Sequence, residues 1–409
     1  MKDRLLLFTE LAWRNLWRNR RRTLITFVAI SVGVWSMLVL AALMQAWGAS
    51  AFDAAVRTLT GHGQIHAAGY LDDPTVDHRF TPPQELINRL GSDDVRAWAT
   101  RVRVPAFLQT ERKNAPVTLV GIDADAERGL SFIPDAVNEG VYLSGTDSSE
   151  ILLGRRLAER MGTGLGKRVV VLSQNAAGEI AERGFRIVGI FDAEQEQTET
   201  GFVFVPESTA RSMLGMGDEV SEIAFTVVDV DGLPAVLDGL KQAAPELDVA
   251  SWAELEPFTK AILDISGGTI ALWTVIMFIL VAFGLVNTLL MAVLERTREF
   301  GLVQALGLRP RLLLLQILIE SAFLIGLGVI AGVVAGVATL LSLHGGLDLS
   351  AVAQGGAAFG IGRTLYPRID VALTIEIALF VWLMGVVTGL YPAWRAAKDV
   401  PVATINKAY

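Results

Sequence analysis

The sequence predicts a membrane protein with four transmembrane helices and a large α+β extracytoplasmic domain between the first and second spans. Three observations carry this. The 409 residues are 52% hydrophobic with only 19% charged, against about a quarter charged in an ordinary soluble domain. The apolar residues concentrate in uncharged runs at 23–52, 265–294, 321–347 and 377–394. Each run approaches or exceeds the roughly 20 helical residues that cross a bilayer core. Between the first two lies a long stretch in which strand and helix patterns alternate. A purely soluble enzyme is excluded.

The elements follow in order. Residues 1–22 carry seven basic side chains (Lys2, Arg4, Arg14, Arg18, Arg20, Arg21, Arg22) against Asp3 and Glu10. Leu5, Phe8, Leu11, Ala12 and Leu16, flanked by Trp13 and Trp17, recur at helical spacing. This predicts a cytoplasmic amphipathic helix whose arginines reach lipid phosphates. Span one covers 23–47. Its basic flank and apolar run are too long for a signal peptide, and no small-x-small cleavage site follows, so it reads as a retained anchor.

Residues 48–266 form the outer domain. Alternation at 101–104 and 116–120 predicts strands, as do 167–172, 185–191, 202–206 and 222–230. Residues 150–161 read as a short helix and 233–244 as another, while 257–266 continue into the second span. The stretch at about 126–204 is the more strand-rich and reads as an inserted subdomain. Span two is 267–294, a cytoplasmic segment follows at 295–311, and span three is 312–343. An outer loop covers 344–371, span four 372–394 and a cytoplasmic tail 395–409. Basic residues near span ends mark the cytoplasmic side. The short segments 1–22, 295–311 and 395–409 hold 14 basic and 5 acidic residues, whereas 49–266 holds 19 and 34. Both termini are therefore expected inside and the large domain outside.

Most candidate chemistry fails. With no cysteine there is no disulfide, thiolate metal site, cysteine nucleophile or lipoprotein anchor. The stretch Gly162-Thr163-Gly164-Leu165-Gly166-Lys167-Arg168 is no phosphate loop: Met161 replaces the first glycine, and Arg168 the magnesium-binding hydroxyl. It reads as a turn, and nothing in the chain reads as an ATPase. The glycines around His62 and His66 argue against a helical metal pair, so these read as surface polar residues, and no metal site is expected. No serine sits in a nucleophile-elbow pattern, so no catalytic residue is expected. Glu320 and Glu376 lie inside or beside apolar spans and are costly there; they read as helix-packing or interface hydrogen-bonding groups. Gly328, Gly332 and Gly336, like Gly385 and Gly389, are four residues apart, which permits close helix approach. Phe300, Val303, Ala305 and Leu306, ended by Gly307 and Pro310, form a short apolar helical face shaped to fill a groove on another protein.

Four stretches together resemble the ABC-transporter permeases that include FtsX, MacB and the lipoprotein-releasing subunits LolC and LolE. These are Arg-Asn-Leu-Trp-Arg-Asn-Arg-Arg-Arg-Thr (14–23), Arg-Thr-Arg-Glu-Phe-Gly-Leu-Val-Gln-Ala-Leu-Gly (296–307), the early acid Glu320, and Gly-Leu-Tyr-Pro-Ala-Trp-Arg-Ala-Ala-Lys-Asp-Val-Pro-Val (389–402). The outer stretch Leu-Gly-Arg-Arg-Leu-Ala (153–158), with 166–169 and 185–191, resembles a MacB-type porter domain with an inserted strand-rich subdomain. In layout the chain is most similar to LolC and LolE, and 350–362 departs from the pattern without an assignment.

The resemblance implies a mechanotransmission permease of a bacterial inner membrane, multi-pass, with its large domain in the periplasm. It implies no cofactor in this chain: ATP and magnesium belong to a separate ATPase subunit present in two copies. A second permease copy or a paralogue completes the dimer, membrane lipid surrounds it, and a periplasmic lipoprotein carrier or adaptor is an expected partner; nucleic acid is not. Arg298, Glu299, Gly301, Leu302, Ala305, Leu306 and Gly307 would dock the ATPase. For an acylated cargo, Met44, Trp47, Phe52, Phe258, Ile262 and Ile265 are the candidates for an apolar cavity. Extraction or release of a lipoprotein or lipid-linked substrate is the leading expectation. MacB-like efflux of periplasmic substrates and FtsX-like activation of a cell-wall hydrolase stay open.

Overall fold

The computed structural model describes residues 13–14, 18–145, 148–193, 195–295, 297, 299, 302, 310–348 and 364–398. Most of the amphipathic segment expected before residue 22, and the unassigned 350–362, lie outside them. The chain divides into two compact units. One takes the described residues up to Ala49, those from Leu263 into the 340s, and those from 364 onward; the other is Ser50–Ile262.

Among the described residues, four helices are long and apolar enough to cross a bilayer. They run Arg20–Ala55, Pro257–Glu295, Pro310–Ser342 and Val371–Lys398. At 36, 39, 33 and 28 residues they measure roughly 42 to 58 Å, more than the hydrocarbon thickness. The second begins at Pro257, whose missing N–H costs nothing at a helix start. Lipid offers no hydrophobic reason for helices to associate, so close packing must supply the attraction. The glycine row of the third span does so against the first. A β-carbon at Gly328 would meet Ile30 at 2.7 Å, one at Gly332 would meet Ser31 O and Val34 at 2.7 Å, and one at Gly336 would meet Leu38 at 3.1 Å. Gly385 lies likewise against Ile325 and Gly389 against Ser321. Thr26 Oγ1 donates to Thr288 Oγ1 at 3.0 Å, joining the first and second spans.

The outer unit is built on one ten-stranded sheet. Its strands are β1 (Gly63–Ala67), β2 (Val95–Gln109), β3 (Asn114–Ile122), β4 (Val137–Gly140), β5 (Glu150–Gly154), β6 (Arg168–Gln174), β7 (Ile180–Phe191), β8 (Phe202–Pro206), β9 (Glu222–Val227) and β10 (Leu247–Ser251). The order is β10-β1-β9-β2-β3-β8-β5-β7-β4, with β6 pairing β2 and β7. Pairs β3·β8 and β5·β7 are parallel and the rest antiparallel. Strands β4 to β8 come mainly from the stretch expected as an inserted subdomain, yet β6 and β8 pair with β2 and β3, so they continue the same sheet.

Both sheet faces are covered. Leu119, Ile151, Leu153, Val203 and Val205 enter one apolar cluster, while the alternate positions Val120, Leu152 and Phe204 enter another. This corrects the expected helix at 150–161. Residues 150–154 are a strand, and only Arg155–Met161 is helical. A strand buried on both faces shows an unbroken apolar run instead of alternation. A third cluster packs Ile65, Ile223 and Phe225 under the helices Gln84–Leu90 and Leu233–Ala243. The 162–167 stretch is a turn in which Gly162 and Gly166 hold φ of 67° and 78°, a region that favours glycine.

Gly332→Leu would force the first and third spans apart, and overpacking of this kind costs about 1–3 kcal/mol. We expect a melting temperature lower by several degrees in detergent. Gly284→Leu, where a β-carbon meets nothing within 4 Å, should leave it almost unchanged. Equal effects from both substitutions would contradict the packing.

Candidate functional site

Of the residues expected to dock an ATPase, Arg298, Gly301, Ala305, Leu306 and Gly307 lie outside the described residues. Leu302 is exposed, with 58% of its surface accessible. Glu299 is engaged within the chain: it forms an ion pair with Arg18, whose Nη1 donates to Glu299 Oε2 at 3.1 Å. One helical turn away, Arg22 Nη1 lies 2.8 Å from Glu295 Oε2. The basic cluster expected to meet lipid phosphates therefore has two of its arginines on the acids that open the 295–311 segment. Exposed pairs of this kind add little net stability, so their use is to hold register.

The six candidates for an apolar cavity are divided between the units. In the membrane unit, Met44 and Trp47 are half-buried and Ile265 is exposed. The Trp47 Nε1–H is buried with no hydrogen-bond partner among the described residues. In the outer unit, Phe52 packs edge-on against Trp252 at 4.9 Å and stacks on His62 at 5.9 Å. Phe258 and Ile262 are brought together, lining a cavity of about 560 Å³ with Ala51, Ala55 and Glu256. Phe258 is exposed and Ile262 buried.

The densest polar chemistry lies elsewhere, on the sheet face shared by β1, β9 and β2. Arg101 is completely buried. Its Nε and Nη2 donate to Glu127 at 2.5 and 3.1 Å, and its Nη1 donates to Glu222 Oε1 at 3.1 Å and to the Leu59 carbonyl at 2.5 Å. Burial works against the Arg101 charge, but the two carboxylates outweigh it and raise its pKa above the ordinary value. Leu59 belongs to a π-helical turn, Val56–Thr60, so a single guanidinium joins that turn, two strands and the loop carrying Glu127.

His66 sits beside this group and is also fully buried, which corrects its reading as a surface residue. Period-two alternation puts Gln64 and His66 opposite the core residue Ile65, but that opposite face is covered as well. His66 Nε2 lies 3.1 Å from Gln64 Oε1 and 3.9 Å from Glu222 Oε2, and the Tyr70 ring stacks on the imidazole at 4.9 Å. His62 is half-buried: its Nδ1 accepts the Val227 N–H at 2.9 Å, and burial together with Arg96 lowers its pKa. Among the described residues no group of three metal-binding side chains converges. The alternation of Arg101 and Arg103 with Val102 and Val104 was the available signal for the cluster, but alternation does not say which face is wet.

A family model described as a MacB-like periplasmic core domain matches residues 23–243, more than half of the chain, and one described as FtsX-like permease C-terminal matches 271–401. The chain belongs to the FtsX/MacB/LolC family of ABC-transporter permeases. Among individual FtsX/MacB/LolC proteins it is similar to LolC, the lipoprotein-releasing system transmembrane protein of Neisseria meningitidis, at 24% identity over 94% of each chain. It is also similar to PvdT, the pyoverdine export ATP-binding/permease protein of Pseudomonas fluorescens, at 27% identity over 99% of this chain. The chain spans 60% of the length of that relative. The solved periplasmic region of MacB from Actinobacillus actinomycetemcomitans aligns with a TM-score of 0.36 at 13% identity, over 50% of this chain and 95% of that one.

The buried cluster predicts that this permease's outer domain loses stability in acid. Burial alone would raise the Glu222 carboxyl, but nearby His66 and the charges of Arg103 and Arg101 more than offset it and hold it at about 2. An unfolded Glu titrates near ~4.3, so the unfolded chain takes up the proton first as pH falls. This stabilisation is complete above about pH 4.5 and is lost as pH falls toward 2. We expect Glu222→Gln to lower the melting temperature at pH 7 and to flatten its dependence on pH below about 4.5. Arg101→Met should cost about 3–5 kcal/mol, since it strands two buried carboxylates. Thermal unfolding of the whole chain in detergent between pH 7 and pH 3 tests both, and a wild-type slope in Glu222→Gln would contradict the assignment.

Proposed function

We propose that this permease converts ATP binding and hydrolysis by a separate ATPase subunit into movement of its outer domain, and that the movement releases a lipoprotein or lipid-linked substrate from the bacterial inner membrane. The observation that carries this reading is the match to LolC proteins along nearly the whole length of both partners, 94% of each chain for the Neisseria meningitidis protein and 96% and 97% for that of Xylella fastidiosa. In this reading the chain is non-catalytic and binds no cofactor, and ATP and magnesium sit in two copies of the partner. A second copy or a paralogue completes the permease. The charge bias supports both termini in the cytoplasm and the large domain in the periplasm. The 296–307 segment docks the ATPase, and the pairs Arg18–Glu299 and Arg22–Glu295 tie its beginning to the start of the first span, so a push on the segment reaches two spans together. Where the cargo is acylated, Phe258 and Ile262 contribute to the surface its chains contact.

Efflux is the second reading, favoured by the similarity to the pyoverdine export protein PvdT. It differs in its partner: an adaptor instead of a lipoprotein carrier.

Affinity purification of the tagged chain in mild detergent, with mass spectrometry of bound proteins and lipids, separates the two. An ATPase with acylated protein or a lipid carrier is expected; an ATPase with an adaptor would favour efflux, and no ATPase would contradict both. Replacing Gly301 or Ala305 with Trp should abolish most ATP-driven release while leaving the protein inserted, and normal release would remove the docking role of that segment.

A further inference from the structure

A cavity of about 440 Å³ opens within the outer unit beside the buried charge cluster, with Gln64, His66, Tyr70, Arg103, Phe202 and Glu256 in its lining. Its volume lies in the range of small-molecule sites. Arg103 is the unusual member. Its guanidinium is held over the Phe202 ring at 5.4 Å, with 31% of the side chain exposed and Nη1 3.6 Å from Glu222 Oε2. That distance is too long for a hydrogen bond, and Glu222 Oε1 is already taken by Arg101. Among the described residues, no guanidinium N–H of Arg103 reaches an acceptor. The neighbouring Arg101, by contrast, is saturated by Glu127, Glu222 and the Leu59 carbonyl.

His66 is the second incomplete group. Gln64 Nε2 donates to the Leu59 carbonyl at 3.1 Å, which turns Gln64 Oε1 toward His66 Nε2 as an acceptor. His66 Nε2 therefore carries the hydrogen, and Nδ1 is buried with no partner. In that tautomer Nδ1 is an acceptor and does not bind an anion, so among these groups the half-buried Arg103 guanidinium, with its unused donors, is the one that can receive a negative charge. Glu256 adds a carboxyl at another part of the wall; burial raises its pKa, opposed in part by its hydrogen bond to Thr60 and by Arg103. Phe202, Leu71 and Leu255 supply apolar surface.

We infer that this cavity is a binding site for a small organic carboxylate with a short apolar body, its carboxylate held by the Arg103 guanidinium and its body laid against Phe202 and Leu255. A planar carboxylate matches the donor fork of an arginine. A monoanion fits better than a phosphate dianion, because the one guanidinium that faces the cavity already shares the charge of Glu222 and Glu256 stands close by. The site goes beyond ATPase coupling and does not depend on which cargo the permease moves.

The test is calorimetric titration of the full-length protein in detergent with N-acetyl-leucine and with its neutral isostere N-acetyl-leucinamide. The acid should bind at least about tenfold more tightly, the scale of one charge-assisted hydrogen-bond set. Arg103→Met should remove that preference, and millimolar inorganic phosphate should not displace the acid. Equal affinity for acid and amide, or binding of neither, would overturn the inference without any variant having to fold. A preference that survives in Arg103→Met would overturn the role of that residue, and displacement by phosphate would overturn the carboxylate class. None of these readouts involves an ATPase, so failure here and failure of the coupling reading are distinguishable.

Discussion

The outer domain depends on one completely buried guanidinium. Arg101 reaches Glu127 in the loop after β3, Glu222 on β9 and the carbonyl of Leu59 in the π-helical turn that precedes β1. A buried charge is tolerated only when paired and hydrogen-bonded, so these segments are held in one arrangement or the group is stranded. The remaining features of this face follow. Glu222 is shared among Arg101, Arg103 and His66, which leaves Arg103 incompletely satisfied at the edge of a cavity. Such networks are weak sources of net stability, because desolvation offsets most of the attraction. Their consequence is that segments distant in sequence cannot shift separately, a property that suits the body-like movement proposed for this domain.

The membrane unit meets the opposite constraint. Its helices lie in a medium as apolar as they are, so their association rests on contact distance. The four-residue glycine row of the third span brings backbone against the first span at Ile30, Ser31 and Val34, and Thr26–Thr288 adds a hydrogen bond where the first span meets the second. At one end of the spans the pairs Arg18–Glu299 and Arg22–Glu295 join residues more than 270 positions apart. Individually weak, together they link the start of one span to the segment that leaves another.

Hydropathy runs were enough to read four membrane helices, because burial in lipid requires long uncharged segments, and the mixed strand and helix patterns between the first two were enough to read the α+β class. The strand at Glu150–Gly154 escaped because Ile151, Leu152 and Leu153 all lie in apolar clusters, and a run buried on both faces has the same local pattern as the start of a helix. The buried cluster escaped for a related reason. Period two separates Gln64 and His66 from Ile65, and Arg101 from Val102, but the covering of the second face comes from residues distant in sequence. Ion pairs such as Arg18–Glu299 leave no trace in spacing at all. Of the docking segment, the described residues contain Glu299 and Leu302 among the seven candidates, and its assignment rests on its resemblance to the family.

In the proposed function, ATP binding moves the outer domain. The chain contains no cysteine, so Ile180→Cys at the exposed start of β7 takes a single spin label. Pulsed dipolar spectroscopy on the complex with its ATPase would then compare the distance between labels on two permease copies with and without bound ATP. The account predicts a resolved shift of the distance distribution on ATP binding that reverses after hydrolysis; superimposable distributions in a complex that still turns over ATP would contradict it.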